Sequence, residues 1–335
     1  MLNKNYLLSI CIPTYNRPEK IEKMIVGLSK IKKIETVEIL IFDNCSEIPV
    51  SDIYDKVGIK LTNLNIIRNP VNVGANINIM RCIEFAKTKW VWLLGDDDDI
   101  LENSIEIILE DISKSIIQND TAIIKYSSEL GLVCNPIVID DFNNFFDFIT
   151  KNSYYSNLLF MSSSIINRDI YCKYYAKAIE NGASFCHIYP LFPLLYNKEA
   201  NVYLSDRNVC TWGRPEWHDS WFYGVVYQDM LRQFSSFYFL DSKKIRIMGR
   251  KWLTLGKVGV LLGGLIVISI KCKEKKFIRK SLKNYYYYLY SGIEKILLLP
   301  MYIFLWLLLP HGKFVARLVM YHPKYAKIRD INVNI

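Results

Sequence analysis

No C-x-x-C pair occurs among the eight cysteines (Cys11, Cys45, Cys82, Cys134, Cys172, Cys186, Cys210 and Cys272), and most of them sit inside apolar runs. That excludes a zinc ribbon and a disulfide framework, and it leaves the reduced core thiols of a cytosolic protein. Charge is scarce too, at 22% against 51% hydrophobic residues, and the 15 Gly and 11 Pro show no G-x-y period. Disordered and collagen-like chains are ruled out. The N-terminal stretch lacks a small-residue cleavage site, so no signal peptide is expected. Neither an internal repeat nor a Gly/Ser-rich or Pro-rich linker divides the 335 residues, which exceed the ~100–200 of one ordinary domain. Two uncharged apolar runs, 258–270 and 296–310, have 13 and 15 residues. Both fall short of the ~20 that a spanning helix needs.

Acidic residues are what the C-terminal part lacks. Residues 241–335 hold 19 Lys/Arg against 4 Asp/Glu, net +15, whereas residues 1–240 hold 23 against 29, net −6. The charge shift near residue 240 separates a first domain suited to acid-centred chemistry from a second that suits an anionic surface. The apolar runs of the second select a membrane over nucleic acid. Between them, 271–295 carries eight Lys/Arg and two Glu, with Tyr285, Tyr286, Tyr287, Tyr288, Tyr290, Tyr302 and Trp306 beside the basic residues. Two spanning helices would place that basic loop opposite a cytosolic first domain, against the positive-inside tendency. A helical, monotopic association with the cytosolic leaflet keeps every basic patch on one side. The alternative is a buried helical hairpin that closes the first domain.

In the first domain, residues 7–12 and 37–42 are short, uninterrupted apolar runs that read as buried parallel strands. Between them Ile21, Met24, Ile25 and Leu28 recur at helical spacing after Pro18. The β-α-β pattern continues with strands at 64–67, 90–94 and 121–126 and helices at 77–86 and 103–115. Further on, 158–166 and 202–212 suit strands, 168–180 a helix, and the aromatic-rich 217–240 another helix. The expected fold class is α/β, a doubly wound, mostly parallel sheet with ligands at the carboxyl ends of its strands.

The polar residues gather just past those ends: Pro13, Tyr15, Asn16 and Arg17; Asp43, Asn44 and Ser46; Asn69, Asn72 and Gly74; and Asp96, Asp97, Asp98 and Asp99. Four consecutive carboxylates repel one another unless a cation neutralises them. Mg2+ or Mn2+ meets that need with one or two carboxylates, completing its shell with water and phosphate oxygens; a solvated loop capping the next helix at Asn103 is the plain alternative. Asp43 suits a carboxylate accepting N–H from a nucleobase, or a simple cap. Arg17 suits a diphosphate, or is a surface charge.

Four stretches in order, Ile-Cys-Ile-Pro-Thr-Tyr-Asn-Arg at 10–17, Phe-Asp-Asn-Cys-Ser at 42–46, Asn-Val-Gly at 72–74 and Trp-Leu-Leu-Gly-Asp-Asp-Asp-Asp-Ile-Leu at 92–101, resemble family 2 glycosyltransferases of the GT-A fold. The stretch 72–99, with Asn78 and Arg81 on its helix, is similar to the abequosyltransferase-like branch. The resemblance implies a nucleotide-sugar donor, a UDP-sugar above others, with the nucleotide near Pro13, Tyr15, Asn16, Arg17, Asp43, Asn72, Gly74, Asn78, Arg81, Asp97 and Arg214. It puts Mn2+ or Mg2+ on a D-x-D pair, for which 96/98 and 97/99 both qualify; the trailing Ile100-Leu101 favours Asp96 and Asp98. The family's Glu-Asp pair is missing from 182–194. His187 stands about where it would be and is the expected general base, with Glu216, His218 and Asp219 as competitors. The implied reaction is a metal-dependent, inverting transfer to a polyprenyl-diphosphate-linked glycan on the cytosolic face of the inner membrane. The alternatives are a catalytically inactive membrane scaffold and a basic nucleic-acid binder.

Overall fold

A computed structural model describes residues 6–114, 117, 120–181, 183–213, 227–252, 282–283, 286–287 and 290–308. The chain forms two compact units, Met1–Pro215 and Glu216–Ile335. The charge shift near 240 therefore falls inside the second unit.

The first unit opens as the periodicity predicts. β1 (Leu8–Thr14), α1 (Pro18–Leu28), β2 (Glu38–Asp43), α2 (Val50–Val57), β3 (Leu64–Arg68), α3 (Ala75–Phe85) and β4 (Trp90–Leu93) alternate, and β3, β2, β1 and β4 lie side by side, all parallel. β1, β2 and β4 are buried along nearly their whole length, as continuous Val/Ile/Leu runs require. α1 packs Ile21, Met24, Ile25 and Leu28 into the core shared with Ile10, Ile39, Ile41 and Trp92.

The two-residue β5 (Asp99–Ile100), α4 (Ser104–Ile112) and β6 (Thr121–Tyr126) come next. Then follow β7 (Ile137–Ile139), α5 (Phe142–Lys151), α6 (Tyr155–Leu159), β8 (Ser164–Asn167), α7 (Arg168–Tyr171), α8 (Tyr175–Asn181), α9 (Leu191–Tyr196), β9 (Asn201–Ser205) and β10 (Cys210–Thr211). The full sheet runs β3-β2-β1-β4-β8-β6-β9-β7. Its second half is mixed: β8 is antiparallel to both β4 and β6, β7 is antiparallel to β9, and only β6 and β9 run parallel.

Three sequence expectations need correction. The strand expected at 158–166 is the end of α6, a short 3-10 turn (Met161–Ser163) and only then β8. The reason is Lys125 in the centre of the sheet: its Nζ donates to the Phe160 carbonyl at 2.8 Å and to the Ser163 and Ser164 hydroxyls at 2.7 and 2.8 Å. A fully buried ammonium needs all three acceptors, and the turn supplies them. The helix expected over 168–180 is broken at Cys172–Tyr174, a second 3-10 turn. The strand expected at 202–212 is two strands, and the second, β10, leaves the main sheet to pair antiparallel with β5. Arg207, between them, forms an ion pair with the buried Asp111 of α4, which directs the segment across the first unit.

In the second unit, α10 (Tyr227–Ser235), α11 (Ser242–Trp252) and α12 (Ile293–Leu308) are described. α10 covers part of the helix expected at 217–240. Residues 258–270 lie outside the described set, and no described helix is long and apolar enough to cross a membrane.

Candidate functional site

Because β1 to β4 are parallel, their C-terminal ends share one rim, and the loops leaving it carry the polar residues read from the sequence. The first two loops are stitched together. Asn16, at a left-handed φ of 51°, donates its N–H to Ser46 Oγ at 3.0 Å, and its side-chain oxygen accepts from the Glu47 N–H at 2.8 Å.

Asp43 is fully buried, and its carboxylate is turned inward. It accepts from the Ser46 N–H at 2.8 Å and the Val50 N–H at 3.3 Å, and it pairs with Arg68 at the end of β3. Arg68 also donates to the Ser46 carbonyl at 2.8 Å. The ion pair thus fixes the 43–46 loop, and Arg68 is a site residue that sequence reading missed although it stands at a strand end like the others. Next to it lies a ladder of amides. Asn69 donates to Asn44 at 3.0 Å and to Asn78 at 2.9 Å, Asn44 donates to Asn72 at 2.9 Å, and Asn78 donates to the Phe42 carbonyl at 3.0 Å. Asn72 accepts from the Gly74 N–H at 2.8 Å, where a φ of 85° suits glycine. Arg81 hydrogen-bonds Asn69 and so braces the ladder from α3. Tyr15 is 43% exposed beside Pro13 at the end of β1.

The acidic loop follows β4. Asp96 is 6% exposed; it accepts from Thr14 Oγ1 at 2.6 Å and from Arg17 Nη1 at 2.7 Å, and the same nitrogen reaches Asp97 at 3.2 Å. Burial raises the Asp96 pKa, opposed by the Arg17 charge and the Thr14 hydrogen bond. Asp98 is 8% exposed and accepts from the Ser162 hydroxyl and, at 3.0 Å, from the Gly213 N–H. Burial pushes its pKa up to about 7, against both hydrogen bonds and with the help of the Asp97 and Asp96 charges. Asp99 is exposed and pairs with Lys23 at 2.9 Å.

With all four carboxylates ionised, Arg17 and Lys23 compensate two, and two negative charges remain. One divalent cation carries that charge. Among the described residues no three His, Cys, Asp or Glu side chains converge to hold a metal by themselves. A pair of carboxylate oxygens awaiting water and phosphate is the donor set that Mg2+ or Mn2+ accepts, so the residues fit the ion.

Ser162 is the hub behind Asp98. Its hydroxyl accepts from the Gly95 N–H at 2.8 Å, and its carbonyl accepts from Trp92 Nε1 at 2.7 Å. The turn that carries it is held by Lys125. Neither Ser162 nor Gly213 has a signature in the local sequence.

The structure places His187 in the interior, 3% exposed, its ring 6.5 Å from that of Phe185, with Tyr171 donating to its carbonyl. Among the described residues neither ring nitrogen has a close hydrogen-bond partner, the Leu159 backbone making at most a weak contact. Burial, reinforced by the Lys125 charge and opposed by the Leu159 backbone, pushes its pKa down to about 3. Replacing this imidazole with an apolar side chain removes buried, poorly satisfied polar atoms, each costing ~1–3 kcal/mol when left without a partner. His187→Leu is therefore expected to raise the melting temperature by a few degrees, measured by calorimetry. A lower melting temperature would mean that the ring makes polar contacts in solution. Arg214, Glu216, His218 and Asp219 lie outside the described residues.

Residues 9–166 match the model of the family described as glycosyl transferase family 2. The abequosyltransferase RfbV of Salmonella typhimurium is 34% identical over 105 residues, 30% of this chain and 31% of that protein. An uncharacterized glycosyltransferase of Haemophilus influenzae is 23% identical over 147 residues, 43% of this chain and 44% of its own length. These matches thus span less than half of the curated relatives. Among solved structures, residues 1–349 of S. aureus TarS align with a TM-score of 0.52 at 15% identity, covering 83% of this chain and 88% of that one. The mannosyltransferase PcManGT from Pyrobaculum calidifontis, solved in complex with GDP-Man and Mn2+, aligns with a TM-score of 0.53 at 10% identity, covering 98% and 89%. At such identities the likeness is one of fold.

Proposed function

We propose that this chain, whose residues 9–166 belong to glycosyl transferase family 2, moves a sugar from a UDP-sugar donor to a polyprenyl-diphosphate-linked glycan at the cytosolic face of a membrane, inverting the anomeric carbon. The observation that carries the reading is the acidic loop, with Asp96 and Asp98 both buried, meeting the Arg17 guanidinium on the rim shared by β1 to β4. A dianionic leaving group and a hard cation complete that arrangement.

When bound, a divalent cation would supply charge neutralisation for the departing diphosphate. In the 96/98 frame Asp98 would hold it, while Asp96 holds Arg17. The Arg17 side chain is 46% exposed, so it can keep one nitrogen on Asp96 and offer others to phosphate oxygens. The Asp43–Arg68 pair and the asparagine ladder fix the loops that flank the nucleoside, and Pro13 and Tyr15 present it with an apolar face. A single displacement needs one base on the acceptor hydroxyl. A base is most effective with a pKa near the working pH, and His187, pushed to about 3, is far below it. Among His187→Ala, Glu216→Gln, His218→Ala and Asp219→Asn, we expect the base to reveal itself by a loss of ~10²–10⁴ in kcat with donor affinity intact, and not at His187.

The test is to incubate full-length protein in native membranes with a panel of nucleotide sugars and Mn2+ and to follow nucleotide release. We expect release from a UDP-sugar that stops on chelation. Release that survives chelation would refute the metal, and release from another nucleotide class alone would refute the donor.

A further inference from the structure

We propose that one face of α12 is the surface by which this chain lies on an anionic lipid monolayer, with the helix parallel to the membrane plane. The inference deepens, and rests on, the reading of the chain as a transferase that works at a membrane.

α12 is 16 residues long, Ile293–Leu308. Ile293, Ile296 and Leu297 are 70–71% exposed, Ile303 48%, Phe304 59% and Leu307 67%. Pro300, between them, is exposed as well. These positions recur every three to four residues, so they form one stripe along the helix. Every member is apolar. The neighbouring charged residues, Glu294 and Lys295, are half-buried and off the stripe. The other side of the helix is occupied by rings: Tyr302 stacks on Tyr286 at 4.4 Å, Trp306 lies 6.0 Å from Tyr302, and the Lys295 ammonium sits 4.7 Å from the centre of the Tyr287 ring. Among the described residues none covers the stripe, and soluble proteins rarely leave so long an apolar surface in water.

Charge selects the occupant. The stripe belongs to a segment, 241–335, with 19 Lys/Arg and 4 Asp/Glu. A second copy would bring two such segments together at an electrostatic cost, whereas anionic headgroups attract each basic residue near the surface. Length and Pro300 set the depth. At ~1.5 Å per residue the described helix reaches ~24 Å, short of the ~30 Å hydrocarbon core. Pro300 has no N–H for the carbonyl of Ile296, four residues earlier and on the same stripe. A freed carbonyl is costly among acyl chains but finds water at headgroup level. Shallow, parallel insertion satisfies both.

The test compares full-length wild type with L297D/F304D by flotation with vesicles of phosphatidylcholine, alone or mixed with phosphatidylglycerol, at low and high salt. Unchanged circular dichroism and melting temperature in both proteins certify folding, and Mn2+-dependent nucleotide-sugar binding is measured on the same samples. Wild type should float with the mixed vesicles and be only partly released by salt. L297D/F304D should bind on the order of tenfold or more weaker, since two apolar side chains no longer leave water, and salt should release what remains. Equal flotation of the two proteins would overturn the proposal. So would a wild type that ignores vesicles and forms a dimer that the variant cannot form. If vesicles bind as expected but no nucleotide sugar does, the transferase reading fails while the lipid face stands.

Discussion

Asp98→Asn is expected to abolish sugar transfer while leaving the fold intact and making it more stable above neutral pH. The asparagine oxygen can accept the Gly213 N–H as Asp98 Oδ1 does at 3.0 Å, and its amide can donate to the Ser162 hydroxyl, which turns its own proton elsewhere. What disappears is a carboxylate. As a ligand to a hard cation an amide is far weaker, and a loss beyond tenfold, more than ~1.4 kcal/mol of barrier, is the minimum expected. Retention of more than about a tenth of wild-type turnover would show that Asp98 does not hold the metal. The pH dependence gives a second, metal-free reading. In the folded chain the Asp98 pKa is pushed from its ordinary 3.8 up to about 7, so the folded state favours the protonated group. Its contribution to stability is fully present below about pH 4 and is lost as the pH rises to about 7. Thermal melts of wild type from pH 4 to 8 should show that decline, and those of Asp98→Asn should lack it. Metal binding requires the ionised form, so Mn2+ affinity should climb over the same range and level off above it.

The half of the sheet that carries these carboxylates was legible in sequence because three of its four strands, β1, β2 and β4, are buried along nearly their whole length. Runs such as Glu38–Asp43 need no partner to be recognised, and each ends in a polar loop. Past residue 126 the information is no longer local. β8 is a strand only from Ser164 because the preceding turn serves the Lys125 ammonium, and a lysine inside an apolar run does not announce which carbonyl it will reach. β10 pairs with β5 across more than 100 residues of chain, a contact no periodicity encodes. The site divides in the same way. Arg17, Asp96 and Asp98 were visible as types at strand ends. Arg68 was available by the same logic and was passed over. Ser162 and Gly213 were not, because what matters in them is one hydroxyl and one N–H delivered from elements far along the chain. His187 shows the opposite hazard. Position along the chain suggested a base, but a β-α-β count says nothing about which side of an element faces the core, and its ring is buried.

Gly213→Ala should be nearly as damaging as the loss of Asp98 itself, although alanine adds one methyl group outside the acidic loop. A Cβ built on Gly213 would lie 1.5 Å from the Asp97 carbonyl oxygen, 2.6 Å from its carbon and 3.2 Å from the Asp98 Cα. The first two fall far inside the ~3.5 Å at which carbon contacts become favourable. All three atoms are backbone, so no side chain can rotate away. The strand Cys210–Thr211 must lift from Asp99–Ile100, and the Gly213 N–H must leave Asp98. Overpacking of this kind costs ~1–3 kcal/mol, which a unit of this size can bear while remaining folded. The damage falls on the carboxylate. The Gly213 hydrogen bond is one of the two that hold the Asp98 pKa down, so its loss should move that group above 7 and shift the acidic limb of the pH–rate profile to higher pH. Mn2+ should bind more weakly at neutral pH for the same reason, and turnover there should fall on the order of tenfold or more. Gly27→Ala is the control: it lies within α1, and nothing stands within 4 Å of a Cβ at that position, so replacing a helix-interior glycine should be neutral or stabilising. Measured side by side, the two alanine variants separate the contact from the residue type. If Gly213→Ala turns over with the wild-type pH profile, the 210–213 segment does not position Asp98, and the carboxylate owes its environment to Ser162 alone.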